Sequence, residues 1–307
     1  MKKLLYLVNP VSGTKDKKTV RMIIESETQR AGFEYAIYPS VESGDYSFLL
    51  KLIKEENFTD IIIAGGDGTV NQAVNSLRPL RIPFGIIPVG SGNGLAFSAG
   101  IPKEPAKALD VIFTGKPQWT DGFMVNDTFA CMLCGLGLDA QVAHDFANHP
   151  RRGLATYIRK TVSNFFTASA YPFVVTTSGK KISTDAFFIS IANSNQFGNN
   201  FTIAPAASLN DGVLDIVVMT KQNKFSVLLQ ALNQVTGYHK PKQFEYMDEK
   251  AEVLYFQTDE LSISNPGQAP MHIDGDPVET EKDLSIRIQK NCFRLIYPAY
   301  SAAREHG

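Results

Sequence analysis

Apolar positions in the first 125 residues fall into two alternating patterns. Continuous runs at 4–8, 61–64 and 84–87 read as strands buried on both faces, the habit of parallel sheets, and 34–38 reads as a further strand. Between the runs the spacing becomes helical. Val20, Ile23, Ile24 and Ala31 mark one helix, Phe48, Leu49, Leu52 and Ile53 a second, and Ala108, Leu109 and Ile112 another. Val70, Ala73, Val74 and Leu77 recur at i, i+3, i+4 and i+7, which predicts an amphipathic helix opening near Val70. Strands alternating with helices predict an open, Rossmann-like α/β sheet.

Beyond residue 125 the period changes. Leu284, Ile286 and Ile288 alternate with Ser285, Arg287 and Gln289, the signature of a strand with one wet face. Val253 with Tyr255, and Leu261 with Ile263, show the same habit, and 173–177, 187–191 and 214–219 add strands. This half is expected to be a β-rich sandwich or barrel. The boundaries read 1–125 for the α/β domain and 126–290 for the β-rich domain, with 291–307 returning to the first. One helical interruption near 153–168 sets Arg151, Arg152, Arg159 and Lys160 beside Tyr157, Phe165 and Phe166.

Composition narrows the function without naming it. A length of 307 residues exceeds one ordinary core, which agrees with two domains. A formal charge of -1 removes the electrostatic argument for nucleic-acid binding. No apolar run approaches the ~18 residues of a membrane-spanning helix, and three cysteines outline no disulfide framework, so a reducing cytoplasm is expected. Cys131 and Cys134 have the spacing of a metal pair but no second pair, and core thiols are the simpler reading.

Three turns carry the chemistry. Gly65-Gly66-Asp67-Gly68-Thr69 follows a buried strand and opens a helix, Gly90-Ser91-Gly92-Asn93-Gly94 follows the next strand, and Asn9-Pro10-Val11-Ser12-Gly13 follows the first. All three should lie at the carboxyl edge of one sheet, where α/β folds bind ligands. Backbone N–H groups there suit phosphate. Asp67 would repel bare phosphate, so Mg²⁺-nucleotide fits better. A Gly-rich turn capped by Thr69 is the plainer alternative for the loop at 65–69 taken alone. The G-x-x-x-x-G-K-[ST] phosphate loop is absent, and Ser91 lacks the flanking glycines of a hydrolase nucleophile.

Taken in order, Asn9-Pro10…Gly13, Gly65 to Asn71 and Gly90-Ser91-Gly92-Asn93 resemble the diacylglycerol kinase catalytic-domain family, which includes bacterial lipid kinases and sphingosine and ceramide kinases. Asp121-Gly122-Phe123, Gly135-Leu136-Gly137-Leu138-Asp139, Asn210-Asp211-Gly212 and Asp274-Gly275-Asp276 extend the likeness over nearly the whole chain. The resemblance implies the NAD kinase/diacylglycerol kinase-like architecture, an N-terminal nucleotide-binding α/β domain followed by a C-terminal β-rich sandwich domain. It also implies transfer of the ATP γ-phosphoryl group to a lipid hydroxyl with Mg²⁺. By the same resemblance Asn9, Ser12, Gly13, Ser40, Gly65, Gly66, Asp67, Gly68, Thr69, Val70, Asn71, Gly90, Ser91, Gly92, Asn93 and Asp121 would serve the nucleotide. Asp67 would organise catalytic Mg²⁺. Asp211, with carbonyls near Ser208 and Val213, would hold a structural Mg²⁺, and Asp276 would act as the catalytic base.

Two positions depart from the family pattern. Asp276 stands where the family has glutamate, which withdraws the carboxylate by roughly 1.5 Å. Gly94 stands where many bacterial diacylglycerol kinases have aspartate, a feature nearer to sphingosine kinases. A diacylglycerol-like and a sphingoid acceptor therefore both stay open, as does a catalytically weak nucleotide sensor. A lipid acceptor implies transient contact with the inner face of a membrane, for which 151–166 is the candidate element, and a homodimer is left open.

Overall fold

The computed structural model describes residues 2–10, 17–138, 140, 169–198, 201–202, 204–220 and 253–299. Ser12, Gly13, Asp139 and the basic-aromatic stretch 151–166 lie outside the described residues. The chain divides into two compact units, Met1–Thr120 with Asn291–Gly307, and Asp121–Lys290.

In the first unit, strands β1 (Lys3–Val8), β2 (Glu34–Pro39), β3 (Asp60–Gly65) and β4 (Pro83–Pro88) alternate with helices α1 (Lys17–Arg30), α2 (Leu49–Glu55), α3 (Asp67–Leu77), α4 (Gly94–Ser98) and α5 (Pro105–Thr114). The sheet runs in the order β4-β3-β1-β2, every pair parallel. The end of the last strand, β17 (Asp283–Tyr297), joins it beside β4, also parallel. Leu4, Leu5, Leu7 and Ile61 to Ala64 are fully buried, as strands covered on both faces require. Val70, Ala73, Val74 and Leu77 form the buried stripe of α3. That helix begins at Asp67, earlier than the apolar spacing marks, because its first turn is polar. Phe48 does not belong to the buried stripe of α2. It stands at the N-cap, 60% exposed.

The second unit is antiparallel throughout its described pairings. It comprises β6 (Thr128–Ala130), β7 (Leu133–Gly137), β8 (Tyr171–Thr177), β9 (Lys180–Ala192), β10 (Gln196–Gly198), β11 (Phe201–Thr202), β12 (Leu214–Thr220), β13 (Val253–Thr258), β14 (Glu260–Ser264), β15 (Met271–Ile273) and β16 (Asp276–Val278), together with the first part of β17 and the end of β5 (Lys116–Val125). Strand order is β16-β15-β7-β9-β8-β14-β17, with β12 between β9 and β13. Its core includes Phe173, Ile189, Ile191, Leu261, Ile263, Leu284, Ile286 and Ile288. On β13, Leu254 and Phe256 face this core, whereas Val253 and Tyr255 pack on the opposite side against Ala192, Ala204 and Val217. The apparent strand across 129–133 is broken by bends at Cys131 and Met132, so β6 and β7 are separate. Cys131 and Cys134 are both buried and neither is in a disulfide.

Candidate active site

In the first unit the loops after β1, β2, β3 and β4 fall at the carboxyl ends of neighbouring parallel strands. Gly66 caps α3 in extended conformation (φ -96°, ψ -176°) without a side-chain cap. The first N–H groups of an α-helix lack intrahelical partners and form an anion-binding end. Val70 N–H is already engaged with Gly66 C=O at 3.0 Å, and the Val70 side chain is buried, so Val70 does not offer its amide to a ligand.

The loop after β4 lies directly against this end. A Cβ on Gly90 would stand 2.4 Å from Gly66 Cα, closer than real Cβ atoms approach, so only glycine permits the contact. Asn93, in the left-handed region (φ 59°) and 2% exposed, closes the loop on itself. Its Oδ1 accepts from Gly90 N–H and its Nδ2 donates to Gly90 C=O, both at 2.8 Å. The Asn93 side chain thus shapes the loop. Asp67 lies between the two loops: its Oδ1 accepts from Leu95 N–H at 3.4 Å, and its Oδ2 is 2.9 Å from where a Gly92 Cβ would be. Asn9 Nδ2 donates to Thr69 Oγ1 at 2.7 Å, and Asn9 N–H to Ala64 C=O at 2.9 Å, which joins the first loop to α3. Ser40 N–H donates to Val8 C=O at 2.9 Å. Ser91, Asn71 and Gly68 are half-buried at the same edge. The oxygen of Asp67 beside a row of amide donors suits a cation bridging to phosphate.

In the second unit, β15 and β16 form a two-residue hairpin in which Ile273 pairs with Asp276. Asp274 (φ 49°) and Gly275 (φ 88°) both have positive φ, as the tight Asp-Gly turn requires. Asp274 is 5% exposed. Its Oδ2 accepts from Cys131 N–H at 2.8 Å, and its Oδ1 from Met132 and Leu133 N–H at 2.9 Å each. The bends that interrupt the apparent strand at 131–132 therefore make a three-amide seat for this carboxylate. Asp276 stands on the exposed side of the hairpin. Although the residue is exposed overall, partial loss of solvent around its carboxyl pushes its pKa up, the neighbouring Asp274 carboxylate adds to that, and His272 pulls it down. A carboxylate raised in this way is a better proton acceptor once ionised. His272, fully buried, accepts from Gly275 N–H through Nδ1 at 3.2 Å.

Asp121 opens the second unit, 2% exposed. Its carboxylate accepts from Gly212 N–H at 2.8 Å, and its N–H donates to Leu209 C=O at 2.7 Å. Asp211, one residue from that contact, has its carboxyl pKa raised by loss of solvent and by the Asp121 carboxylate. A carboxyl raised by a neighbouring carboxylate, as Asp211 is by Asp121, marks a place where a divalent cation is welcome. Among the described residues no group of three or more His, Cys, Asp and Glu gathers as a metal cage. A hard cation here would need Asp211 plus backbone oxygens, and the loop at Ser208 to Val213 offers that donor chemistry. The Ser208 hydroxyl donates to Asn210 Oδ1 at 3.1 Å.

Sequence reasoning missed Asp274 as a structural carboxylate and Asn193 as a buried link (below). The Asp-Gly pair signals the turn, but nothing local signals that its seat is more than a hundred residues away.

Residues 3–125 match the family model described as diacylglycerol kinase catalytic domain. Residues 133–296 match that of the YegS C-terminal NAD kinase beta sandwich-like domain. The chain is 26% identical over 281 residues to a diacylglycerol kinase of Bacillus subtilis, covering 90% of each. It is 25% identical over 284 residues to a YegS-like lipid kinase of Chromohalobacter salexigens, covering 91% of this chain and 88% of the relative. A crystal structure of a diacylglycerol kinase from Bacillus anthracis superposes with a TM-score of 0.73 at 22% identity, over 96% of this chain and 97% of that one, a likeness of fold.

Proposed function

The chain belongs to the diacylglycerol kinase catalytic-domain family, with the YegS-type C-terminal domain, and is a lipid kinase; from that premise we propose that it transfers the γ-phosphoryl group of Mg-ATP to the hydroxyl of a diacylglycerol-like or sphingoid lipid. The observation that carries this reading is the contact of Gly66 with Gly90, with Asp67 held beside it at the amino end of α3.

In this reading the amides at the start of α3 and in the loop at 90–94 bind the ATP phosphates. Thr69 and Asn9 fix the relative positions of the loops that do so. Asp67 is the ligand for Mg²⁺, which when bound neutralises charge on the phosphates. Asp211, with the carbonyls of Ser208 and Val213, holds a second, structural Mg²⁺. Asp276 takes the proton of the lipid hydroxyl as its oxygen bonds to phosphorus and ADP departs. Positioning and charge neutralisation supply most of the acceleration in phosphoryl transfer, so a carboxylate one methylene shorter than the family's glutamate can serve if the hairpin presents it. The raised pKa of Asp276 supports that role. The lipid is met by transient adsorption to a bilayer; no helix among the described residues is long and apolar enough to cross one.

Labelled ATP is to be incubated with the protein and mixed micelles of diacylglycerol, monoacylglycerol, sphingosine or ceramide. One acceptor is expected to become labelled, with Asp67→Ala and Asp276→Ala each losing at least ~100-fold. Full activity in Asp67→Ala, or ATP binding without turnover on any of these lipids, counts against the reading.

A further inference from the structure

Asn193 follows the end of β9 and exposes no surface. Its Nδ2 donates to two backbone carbonyls, those of Asp121 and Cys131, each at 2.9 Å. Its own N–H donates to Met132 C=O at 2.7 Å. An amide nitrogen carries two hydrogens in one plane, so both are engaged. Of the side chains short enough to sit at this turn, asparagine alone brings two N–H donors from a single atom.

The two carbonyls belong to different structures. Cys131 is part of the three-amide seat of Asp274, and Asp274 opens the turn that presents Asp276. Asp121 is bonded at both ends of its own backbone and side chain to the loop at 209–213, through Leu209 C=O and Gly212 N–H. Asn193 thus stands between the loop that carries Asp211 and the hairpin that carries Asp276. Every step is a hydrogen bond of 2.7 to 2.9 Å. Asn193 Oδ1 is buried and has no hydrogen-bond partner among the described residues. Retaining an unsatisfied acceptor is a cost to folding, and a residue kept for packing alone could be apolar.

We infer that Asn193 is a positioning residue that couples the pose of the Asp276 hairpin to the loop at 209–213 through Asp121 and the seat at Cys131. The inference rests on Asp276 as the proton acceptor. Among the described residues, the charged and titratable groups that face Asp276 are Asp274 and His272. Any slackening of the seat changes how closely Asp274 and the surrounding protein bear on the carboxyl of Asp276.

The test uses the full chain. Asn193→Ala is expected to lower kcat about 10- to 100-fold while leaving KM for ATP within about twofold, since the phosphate loops belong to the other unit. The acid limb of its kcat profile should move toward the ordinary carboxylate range as Asp276 becomes better solvated. In metal-free protein carrying ¹³C-labelled aspartate, the carboxyl resonance lost in Asp276→Ala should titrate at lower pH in Asn193→Ala. Asp121→Ala removes the carboxylate that accepts from Gly212 N–H and so cuts the same path at its other end. The double variant should therefore lose no more than the worse single one. Asn193→Ser, which keeps one donor, should fall between and covers the case in which the alanine variant does not fold.

An unchanged acid limb and unchanged titration in folded Asn193→Ala or Asn193→Ser, or multiplicative losses in the double variant, would overturn the coupling. Full activity in Asp276→Ala would instead remove the base assignment, and the carboxyl titration would still decide whether Asn193 governs the hairpin.

Discussion

If Asp276 is the proton acceptor proposed above, it must be ionised to act, so the direction of its pKa shift sets the pH range of activity. Desolvation and then Asp274 raise that pKa, and His272 lowers it. Activity should therefore fall, as pH drops, at a pH above that of an ordinary aspartate, near about 3.9. The two neighbours give predictions of opposite sign. Asp274→Asn removes a repelling charge and should move the acid limb of kcat to lower pH, whereas His272→Gln should move it to higher pH. Profiles of kcat against pH for the pair check both, and movement in the same direction would refute the assignment of causes. At Gly90 the argument is steric. A methyl group 2.4 Å from Gly66 Cα cannot be accommodated without shifting one of the two loops. Gly90→Ala should lose about 1–3 kcal/mol of stability and weaken ATP binding at least ~10-fold, read by thermal melting and nucleotide titration. These glycines were legible as phosphate-loop candidates. Their mutual contact was not, because β3 and β4 become neighbours only through a register that local spacing does not specify.

The hairpin of β15 and β16 shows what one element contributes. Asp274→Ala would leave three buried N–H groups, those of Cys131, Met132 and Leu133, without their acceptor. A loss of about 3–5 kcal/mol is expected. Gly275→Ala meets no atom within 4 Å, and only its φ of 88° resists a side chain, so about 1 kcal/mol is expected. Urea melts of the two variants test the ordering, and equal losses would show that the seat does not hold the hairpin. Elements with a clean period were the readable ones. The stripe of α3 and the alternation of Leu284, Ile286 and Ile288 have the burial that their spacing predicts. Pattern failed where both faces of a strand are covered. On β13 the residues at 253 and 255 suggest one core face, yet 254 and 256 take it, because apolar neighbours on the other side remove the contrast. It failed again at Cys131 and Met132, whose side chains are as buried as strand residues while their amides turn to Asp274.

At the scale of the whole chain, the first unit is assembled from both ends of the sequence. Strand β17 lies parallel to β4, with Arg294 opposite Pro83 and Leu295 opposite Phe84. Phe293, Leu295 and Ile296 are fully buried. At about 2 kcal/mol for each such side chain, their removal would cost about 6 kcal/mol, comparable to the whole stability of many domains. It would also open the edge of β4 to aggregation. Trp119 is the sole tryptophan of the chain, and its ring lies 5.5 Å from the Arg81 guanidinium and 5.9 Å from that of Arg294. Its emission therefore reports whether the returning strand is in place. A chain ended after Lys290 should show red-shifted tryptophan emission and no cooperative melting of the first unit. Mg-ATP at about 100 times its Kd should stabilise the intact chain by about 2.7 kcal/mol and the shortened one not at all. Because the proposed phosphate loops follow β1, β3 and β4, a shortened chain that still melted cooperatively and titrated ATP would mean that these strands hold their register without β17.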